Sequence, residues 1–142
     1  MGRKFVIAAL SVMVALTAFV SGIYMTIGSS AIPVDNNAYV YAVVGDKKIP
    51  LSSNDSSDVK KMLKAQYSKD QAGKCPFDFN IGFEIGNYRY AIAMDGCNTI
   101  DVYLLDGKFV CGAGNFWGEE YVSKYFYKYV DREDILEYFS DT

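Results

Sequence analysis

The N-terminal part of the chain carries 23 consecutive uncharged and mostly apolar residues, from Phe5 to Ile27. As a helix this run would measure roughly 34 Å, which is long enough to cross a bilayer. Arg3 and Lys4 precede the run and the next charged residue is Asp35, so the positive-inside rule keeps the N-terminus in the cytoplasm and places the rest of the chain outside. The sequence therefore predicts a membrane segment at residues 1–31 and leaves residues 32–142 to fold.

This segment fits two processing outcomes. Its length favours an uncleaved signal anchor, because the apolar core of a signal peptide usually spans roughly 7 to 15 residues. The triplet Ser29-Ser30-Ala31 favours a cleaved signal peptide, because a signal peptidase accepts small residues at such a site. We therefore expect the protein either to be membrane-anchored through residues 5–27 with its domain outside the cytoplasm, or to be secreted.

Two features of the composition exclude classes of function. The chain has no histidine, which excludes Ser-His-Asp and Cys-His catalysis and any histidine-ligated zinc site. Residues 75–142 carry five basic and twelve acidic side chains. Sequence-independent nucleic-acid binding depends on lysine and arginine to neutralise phosphates, so no nucleic-acid partner is expected.

The first half of the predicted domain contains a hairpin and a helix. Residues 32–37 include a proline and three polar residues, which is typical of a linker. A strand at residues 38–44, a Gly45-Asp46 turn and a returning strand at residues 47–51 predict a β-hairpin. A serine- and aspartate-rich cluster then offers helix N-caps, and apolar side chains follow at helical spacing at Val59, Met62 and Leu63.

In the second half the apolar pattern changes to a period of two. From Phe77 the alternation runs through four segments, which predicts a four-stranded antiparallel meander with one wet face. Apolar residues then recur at helical spacing from Tyr121 to Val130, and Asp131 can cap a short final helix. The predicted fold class is α+β, with residues 38–142 forming a single extracytoplasmic domain whose helices pack on one sheet face.

Strand register gives the cysteines predicted positions. A two-residue turn at Gly86-Asn87 pairs residues whose numbers sum to 173, so that Cys75 lies diagonal to Cys97. In an oxidising compartment this proximity predicts a disulfide bond between them. Two free thiols or a bridge to Cys111 stay open, because connectivity does not follow from sequence alone. Cys111 itself is expected in the core as a small apolar residue.

The same register places Asp78 opposite Asp95, with Asp101 nearby. Facing carboxylates can share a proton, cleave a glycan or hold calcium, so these three residues form a predicted carboxylate cluster. The dipeptide Asp95-Gly96 is also ordinary turn chemistry, which can carry Asp95 out of register. Apart from calcium at this cluster no cofactor or metal is expected, and the sequence shows no phosphate-binding loop and no cluster with metal-ligand spacing.

Exposed aromatic residues indicate how such a domain can act. Tyr103 falls on the wet face of its strand, and Tyr127 lies off the helical stripe beside Lys124 and Lys128, so these four residues are the predicted interface. The sequence favours a non-catalytic binding module, such as an inhibitor, immunity or accessory protein, whose partner is a protein outside the cell. The alternatives are a glycan or cell-wall hydrolase using the paired aspartates and a structural envelope component.

Overall fold

The computed structural model describes residues 31–69, 72–95, 97, 99–114 and 122–140. The elements in chain order are β1 (Val40–Val44), β2 (Lys47–Pro50), α1 (Ser53–Lys64), β3 (Tyr67–Lys69), β4 (Phe77–Ile85), β5 (Tyr88–Ala93), β6 (Thr99–Leu104), β7 (Phe109–Gly114), α2 (Val122–Phe126) and α3 (Arg132–Ser140). They confirm the predicted α+β class. The predicted membrane-spanning run at residues 5–27 lies outside the described residues, and within the described residues no helix is long and apolar enough to cross a membrane.

One seven-stranded sheet organises the fold, with the strand order β2-β1-β4-β5-β6-β7-β3. Strands β4 to β7 form the predicted meander, and the predicted hairpin joins it because β1 pairs antiparallel with β4. Strand β3 pairs with β7 at the far edge and was not predicted. Three residues are too few for a period-two pattern, so only the pairing with β7 identifies them as a strand.

The hydrophobic core lies between one face of this sheet and the helices. A buried row crosses five neighbouring strands through the paired residues Ala42, Phe83, Tyr90, Val102 and Cys111. The helical side of the core is closed by Val59 and Leu63 of α1, by Phe126 at the end of α2 and by Val130 in the segment that follows α2. The rings of Phe83 and Phe126 meet edge to face at 5.8 Å. Cys111 is 5% exposed and belongs to this core, as the sequence predicts.

Residues 32–37 pack onto the domain. Ile32 is only 3% exposed and belongs to the core, and the hydroxyl of Tyr90 donates a hydrogen bond to the carbonyl of Pro33. The ammonium of Lys60 in α1 donates to the carbonyl of Asn36 at 2.8 Å. The segment that the sequence indicates as a linker is thus held at both of its ends rather than forming a free tether.

Strand β4 departs from the predicted register. From Ile85 to Gly82 its partners in β5 follow the two-residue turn as expected, but Phe77 pairs with Ala93, a shift of three positions. Gly82 lies at this shift with φ of +155°. A turn fixes register only as far as the ladder stays regular, and a bulge resets it beyond that point. The predicted pairing of Asp78 with Asp95 is therefore wrong.

The register shift also changes which face carries the first part of β4. The ring of Phe79 lies 5.1 Å from the guanidinium carbon of Arg89 and 5.7 Å from the ring of Tyr103, on the face opposite the helices. Under this cover Arg89 and Glu84 form a buried ion pair at 2.9 Å, and Lys48 reaches the same carboxylate at 2.7 Å. The face that the sequence predicts as wet is therefore partly buried.

We expect Gly82→Ala to destabilise the protein by more than about 3 kcal/mol, because backbone strain and steric overlap act together. An added β-carbon would lie 2.1 Å from the carbonyl oxygen of Tyr90 on the neighbouring strand. Gly107→Ala is the matched control, since φ is +87° there but nothing lies within 4 Å of the added carbon. The control should cost only about 1–2 kcal/mol of backbone strain. Urea denaturation followed by circular dichroism measures both, and equal losses would contradict the close approach at Gly82.

Candidate functional site

Within the described residues, one group of side chains has the composition of a metal-ligand set, and it consists of Cys75, Asp95 and Cys97. Their two sulfurs and a carboxylate oxygen lie within 4.8 Å of one another. Thr99 joins them, with its Oγ1 3.2 Å from the sulfur of Cys75 and 2.6 Å from the sulfur of Cys97. We call these four residues the cysteine cluster. The sequence pattern did not indicate any such ligand set.

The register shift in β4 builds the cysteine cluster. Continuing the pairing of Phe77 with Ala93 brings Cys75 opposite Asp95, and the backbone N–H of Met94 donates to the carbonyl of Pro76 at 3.0 Å. The carboxylate of Asp95 accepts the backbone N–H of Cys97 at 3.0 Å, which folds the β5–β6 turn back on itself. The local signal, an aspartate two residues before a cysteine, is present in the sequence. The three-position shift that adds Cys75 has no such signal.

The electrostatics of the cysteine cluster favour a protonated sulfur at Cys97 and an ionised carboxylate at Asp95. Burial, followed by the hydrogen bond with Cys75, raises the pKa of the Cys97 thiol to about 11. The backbone N–H of Cys97 is the main cause that lowers the pKa of Asp95 below its ordinary value. At neutral pH Cys97 is therefore a thiol and a weak nucleophile. Oxidation and metal coordination also use the thiolate, so either reaction must first remove the proton from Cys97.

Cys75 and Cys97 are free cysteines in this structure, so the predicted disulfide bond is not formed in it. Their shared contact with Thr99 nevertheless brings the two thiols to the same place. The disulfide bond therefore stays a prediction, now supported by proximity in three dimensions and no longer by the register that first indicated it.

We expect oxidation of the reduced protein to yield a Cys75–Cys97 disulfide bond while Cys111, which is buried, stays unbridged. The bond would close a loop of roughly 20 residues and stabilise the fold by about 3 kcal/mol, less any strain. Peptide mapping without reduction, before and after oxidation, measures the pairing. Recovery of either residue linked to Cys111 would contradict the prediction.

The three aspartates of the predicted carboxylate cluster have different partners. Asp78 accepts the backbone N–H of Asn80 at 2.7 Å and the hydroxyl of Tyr138 at 3.2 Å. Asp101 is 2% exposed and accepts the backbone N–H of Gly73 at 2.9 Å, while burial raises its pKa. Asp95 belongs to the cysteine cluster. The described contacts thus place these carboxylates in three separate environments.

The contacts of the four predicted interface residues do not bring them together into one surface. Tyr103 packs edge to face against Phe79 and Phe109, on the sheet face opposite the helices. Tyr127 is exposed, and the ammonium of Lys124 lies 5.3 Å from the ring of Tyr125. Lys128 is an ion-pair partner of Asp55 at 2.7 Å. Tyr103 and Lys128 therefore both have structural contacts, and these contacts lie in different parts of the domain.

That ion pair belongs to a hydrogen-bond network that joins α1 to the segment directly after α2. The hydroxyl of Ser52, which caps α1, donates to the carboxylate of Asp55 at 3.0 Å, and the hydroxyl of Tyr129 also donates to it. Tyr129 in turn accepts the backbone N–H of Ser52 at 2.9 Å. Lys128 and then Tyr129 are the main causes that lower the pKa of Asp55 to about 2.

We expect Asp55→Asn to lower the melting temperature by several degrees at pH 7 and by less at low pH. A folded pKa of about 2, below the ordinary value of about 3.9, means that Asp55 stabilises the fold fully above the ordinary value. That stabilisation disappears as the pH falls towards 2. Thermal unfolding from pH 7 to pH 2 measures the difference. Asp58→Asn, on the same helix, is the control. The described contacts of Asp58 are a long ion pair with Lys61 at 3.8 Å and a long hydrogen bond from Tyr125 at 3.4 Å, so its substitution should lower the melting temperature less. If the difference in melting temperature between the parent and Asp55→Asn did not change with pH, the proposed role of the ionised carboxylate would be wrong.

A cleft of about 450 Å³ opens where β1 turns into β2 and α3 packs against this turn. Its polar lining comes from Asp46, Lys47, Asn80, Asp134, Glu137 and Tyr138. Lys47 and Asp134 form an ion pair at 2.6 Å that fixes α3 to the turn. On α3 itself, Leu136 is 58% exposed and Phe139 is 44% exposed. We call this cleft and the exposed part of α3 the acidic end of the domain.

The other end of the β1–β2 hairpin carries lysines. Tyr41 pairs with Pro50 there, and α1 follows directly, with Lys60, Lys61 and Lys64 lining a shallow groove beside Asn36. Lys64 donates to the side-chain carbonyl of Asn36, within the segment through which the chain enters the domain. We call this groove the basic end.

Protein-family models, curated proteins and solved structures were all compared with this chain, and none of them matches it. Its function therefore has to be inferred from its own residues and their geometry.

Proposed function

We propose that this protein is a small extracytoplasmic binding module, membrane-tethered or secreted, that binds a basic protein partner through its acidic end. The observation that carries the proposal is the separation of charge along the β1–β2 hairpin. In the cleft at the turn the carboxylates of Asp46, Asp134 and Glu137 outnumber the single ammonium of Lys47. In the groove at the open end, where the chain enters the domain, the charged lining residues are the three lysines of the basic end. The proposal keeps the binding role that the sequence favours and assigns it to a different surface.

The acidic end combines the two features that protein interfaces need. Asp131, Glu133 and Glu137 are exposed on or beside α3, next to the Asp46 side of the cleft. Leu136 offers an exposed apolar side chain on the same helix. Apolar contacts supply affinity, while surrounding charges steer the encounter and select a partner of opposite charge. A basic partner therefore fits this surface.

The basic end is consistent with a tether. Lys60 and Lys64 contact Asn36, five residues after Ala31, where the predicted membrane segment ends. If residues 5–27 anchor the chain, these lysines face the lipid headgroups and the acidic end points away from the membrane. The lysines then act as a spacer surface, and the partner binds at the far end of the hairpin.

The two alternatives have less support. A glycan hydrolase would need Asp78 and Asp95 to work as a pair, but their contacts differ, with Tyr138 for the first and Cys97 for the second. A structural envelope component would need no selective surface. No described contact favours either of them over binding.

The test is site-specific photocrosslinking of the full chain. A photoreactive side chain at position 136 is expected to crosslink a basic protein in the native envelope fraction. The matched control position is Leu105, which is similarly exposed. It lies near the β4–β5 turn, at the end of the sheet opposite the β1–β2 turn. It should give no crosslink to that protein.

Charge-reversal variants then test whether crosslinking from position 136 depends on the acidic side chains of α3. The double variant Glu133→Lys and Glu137→Lys should weaken the captured complex at least about tenfold, because like charges would face each other. Asp106→Lys, which reverses one charge in the β6–β7 turn, should leave binding unchanged. Crosslinking that is equal at both positions, or that survives the double reversal, would overturn the proposal.

A further inference from the structure

We propose that Cys75, Asp95 and Cys97 form a binding site for a thiophilic divalent metal ion, and that zinc is the ion that fits it best. This site is separate from the acidic surface proposed for binding and does not depend on that proposal. The close spacing of Asp95 and Cys97 is visible in the sequence, but Cys75 joins them only through the register shift in β4.

The spacing of the donor atoms fits a tetrahedral ion. Around zinc, with Zn–S near 2.3 Å and Zn–O near 2.0–2.2 Å, neighbouring ligand atoms lie roughly 3.4–3.8 Å apart. The two sulfurs and the carboxylate oxygen of this site already lie within 4.8 Å of one another. The donor atoms therefore have to approach one another by about 1 Å or slightly more to share one ion, a distance that side-chain rotation can supply.

The identity of the donors selects the class of metal. Magnesium and calcium take six or more oxygen ligands, so two sulfurs and one carboxylate do not suit them. Thiolate sulfur favours zinc among the redox-inactive ions, and three protein ligands leave a fourth tetrahedral position. Asp95 is exposed and both cysteines are partly exposed, so this fourth position is open to water.

Thr99 contacts both of the sulfur ligands. Its single hydroxyl hydrogen is donated to the sulfur of Cys75, and a donor placed in this way orients a metal ligand and stabilises its thiolate. Cys97, whose sulfur lies 2.6 Å from the same oxygen, is a thiol in the metal-free site and has to lose its proton when the ion binds. The backbone N–H of Cys97 holds the Asp95 carboxylate in place. On binding, each thiol loses its proton to solvent as its Zn–S bond forms. Two thiolates and one carboxylate then balance the two charges of the ion and leave one negative charge.

A second turn in the same sheet serves as an internal comparison. In the β6–β7 turn the carboxylate of Asp106 accepts the backbone N–H of Lys108 at 2.9 Å, which repeats the geometry of Asp95 with Cys97. A lysine stands there in the position of the cysteine. The aspartate turn alone is therefore a common structural device, and the two sulfurs distinguish the proposed site from it.

The test is titration of the reduced full chain with cobalt(II), followed by zinc. We expect one cobalt ion per chain, a thiolate-to-cobalt charge-transfer band, the visible bands of tetrahedral cobalt, and loss of both signals when zinc displaces cobalt. Cys75→Ser and Cys97→Ser should abolish the charge-transfer band of the two-sulfur site. Asp95→Asn should weaken binding about tenfold or more while keeping sulfur coordination.

Matched controls keep the result specific. Asp106→Asn and Cys111→Ala should bind cobalt as the parent does, and circular dichroism should show that every variant is folded. Zinc should also protect Cys75 and Cys97 of the parent from alkylation, a readout that needs no folded cysteine variant. The absence of a charge-transfer band in the reduced parent would overturn the proposal. So would cobalt binding that survives both serine substitutions, or that Asp106→Asn weakens as much as Asp95→Asn does.

Discussion

The close approach of Gly82 to the Tyr90 carbonyl is the constraint on which most of the unexpected structure depends. Only a residue without a β-carbon fits there, and it lets β4 shift by three positions against β5. The shift places Phe79 over the Arg89–Glu84 ion pair and sets Cys75 beside Asp95. Without the shift the first part of β4 would continue the core face, and Cys75 would no longer lie opposite Asp95.

Covering that ion pair changes its energetics. An exposed cross-strand pair contributes less than about 1 kcal/mol, whereas removing one partner of a buried pair leaves an uncompensated charge and costs about 3–5 kcal/mol. Arg89 is nearly buried, and Lys48 supplies a second cation to the Glu84 carboxylate. The second face of the sheet is therefore polar and partly buried.

Periodicity predicted most of the fold, and it failed where geometry is not periodic. The hairpin, α1, the meander and the helical cover follow from apolar residues such as Phe83 and Val59 recurring at period two or at helical spacing. Strand β3 is too short to show a period, and the shift at Gly82 leaves no trace in a pattern of apolar residues. The site depended on register, so the proximity of Cys75 and Cys97 was predicted for the wrong reason and the pairing of Asp78 with Asp95 was lost.

The topology places the cysteine cluster and the acidic end on the same side of the molecule. Because β1 and β5 run in the same direction, the β1–β2 and β5–β6 turns lie at one end of the sheet, and the β4–β5 turn lies at the other end. The compartment then decides the chemistry of the cluster, since oxidation would join the two sulfurs that a metal ion needs as thiolates. Asp95 separates these outcomes, because a disulfide bond requires only the two cysteines whereas a zinc ion takes the carboxylate as its third ligand.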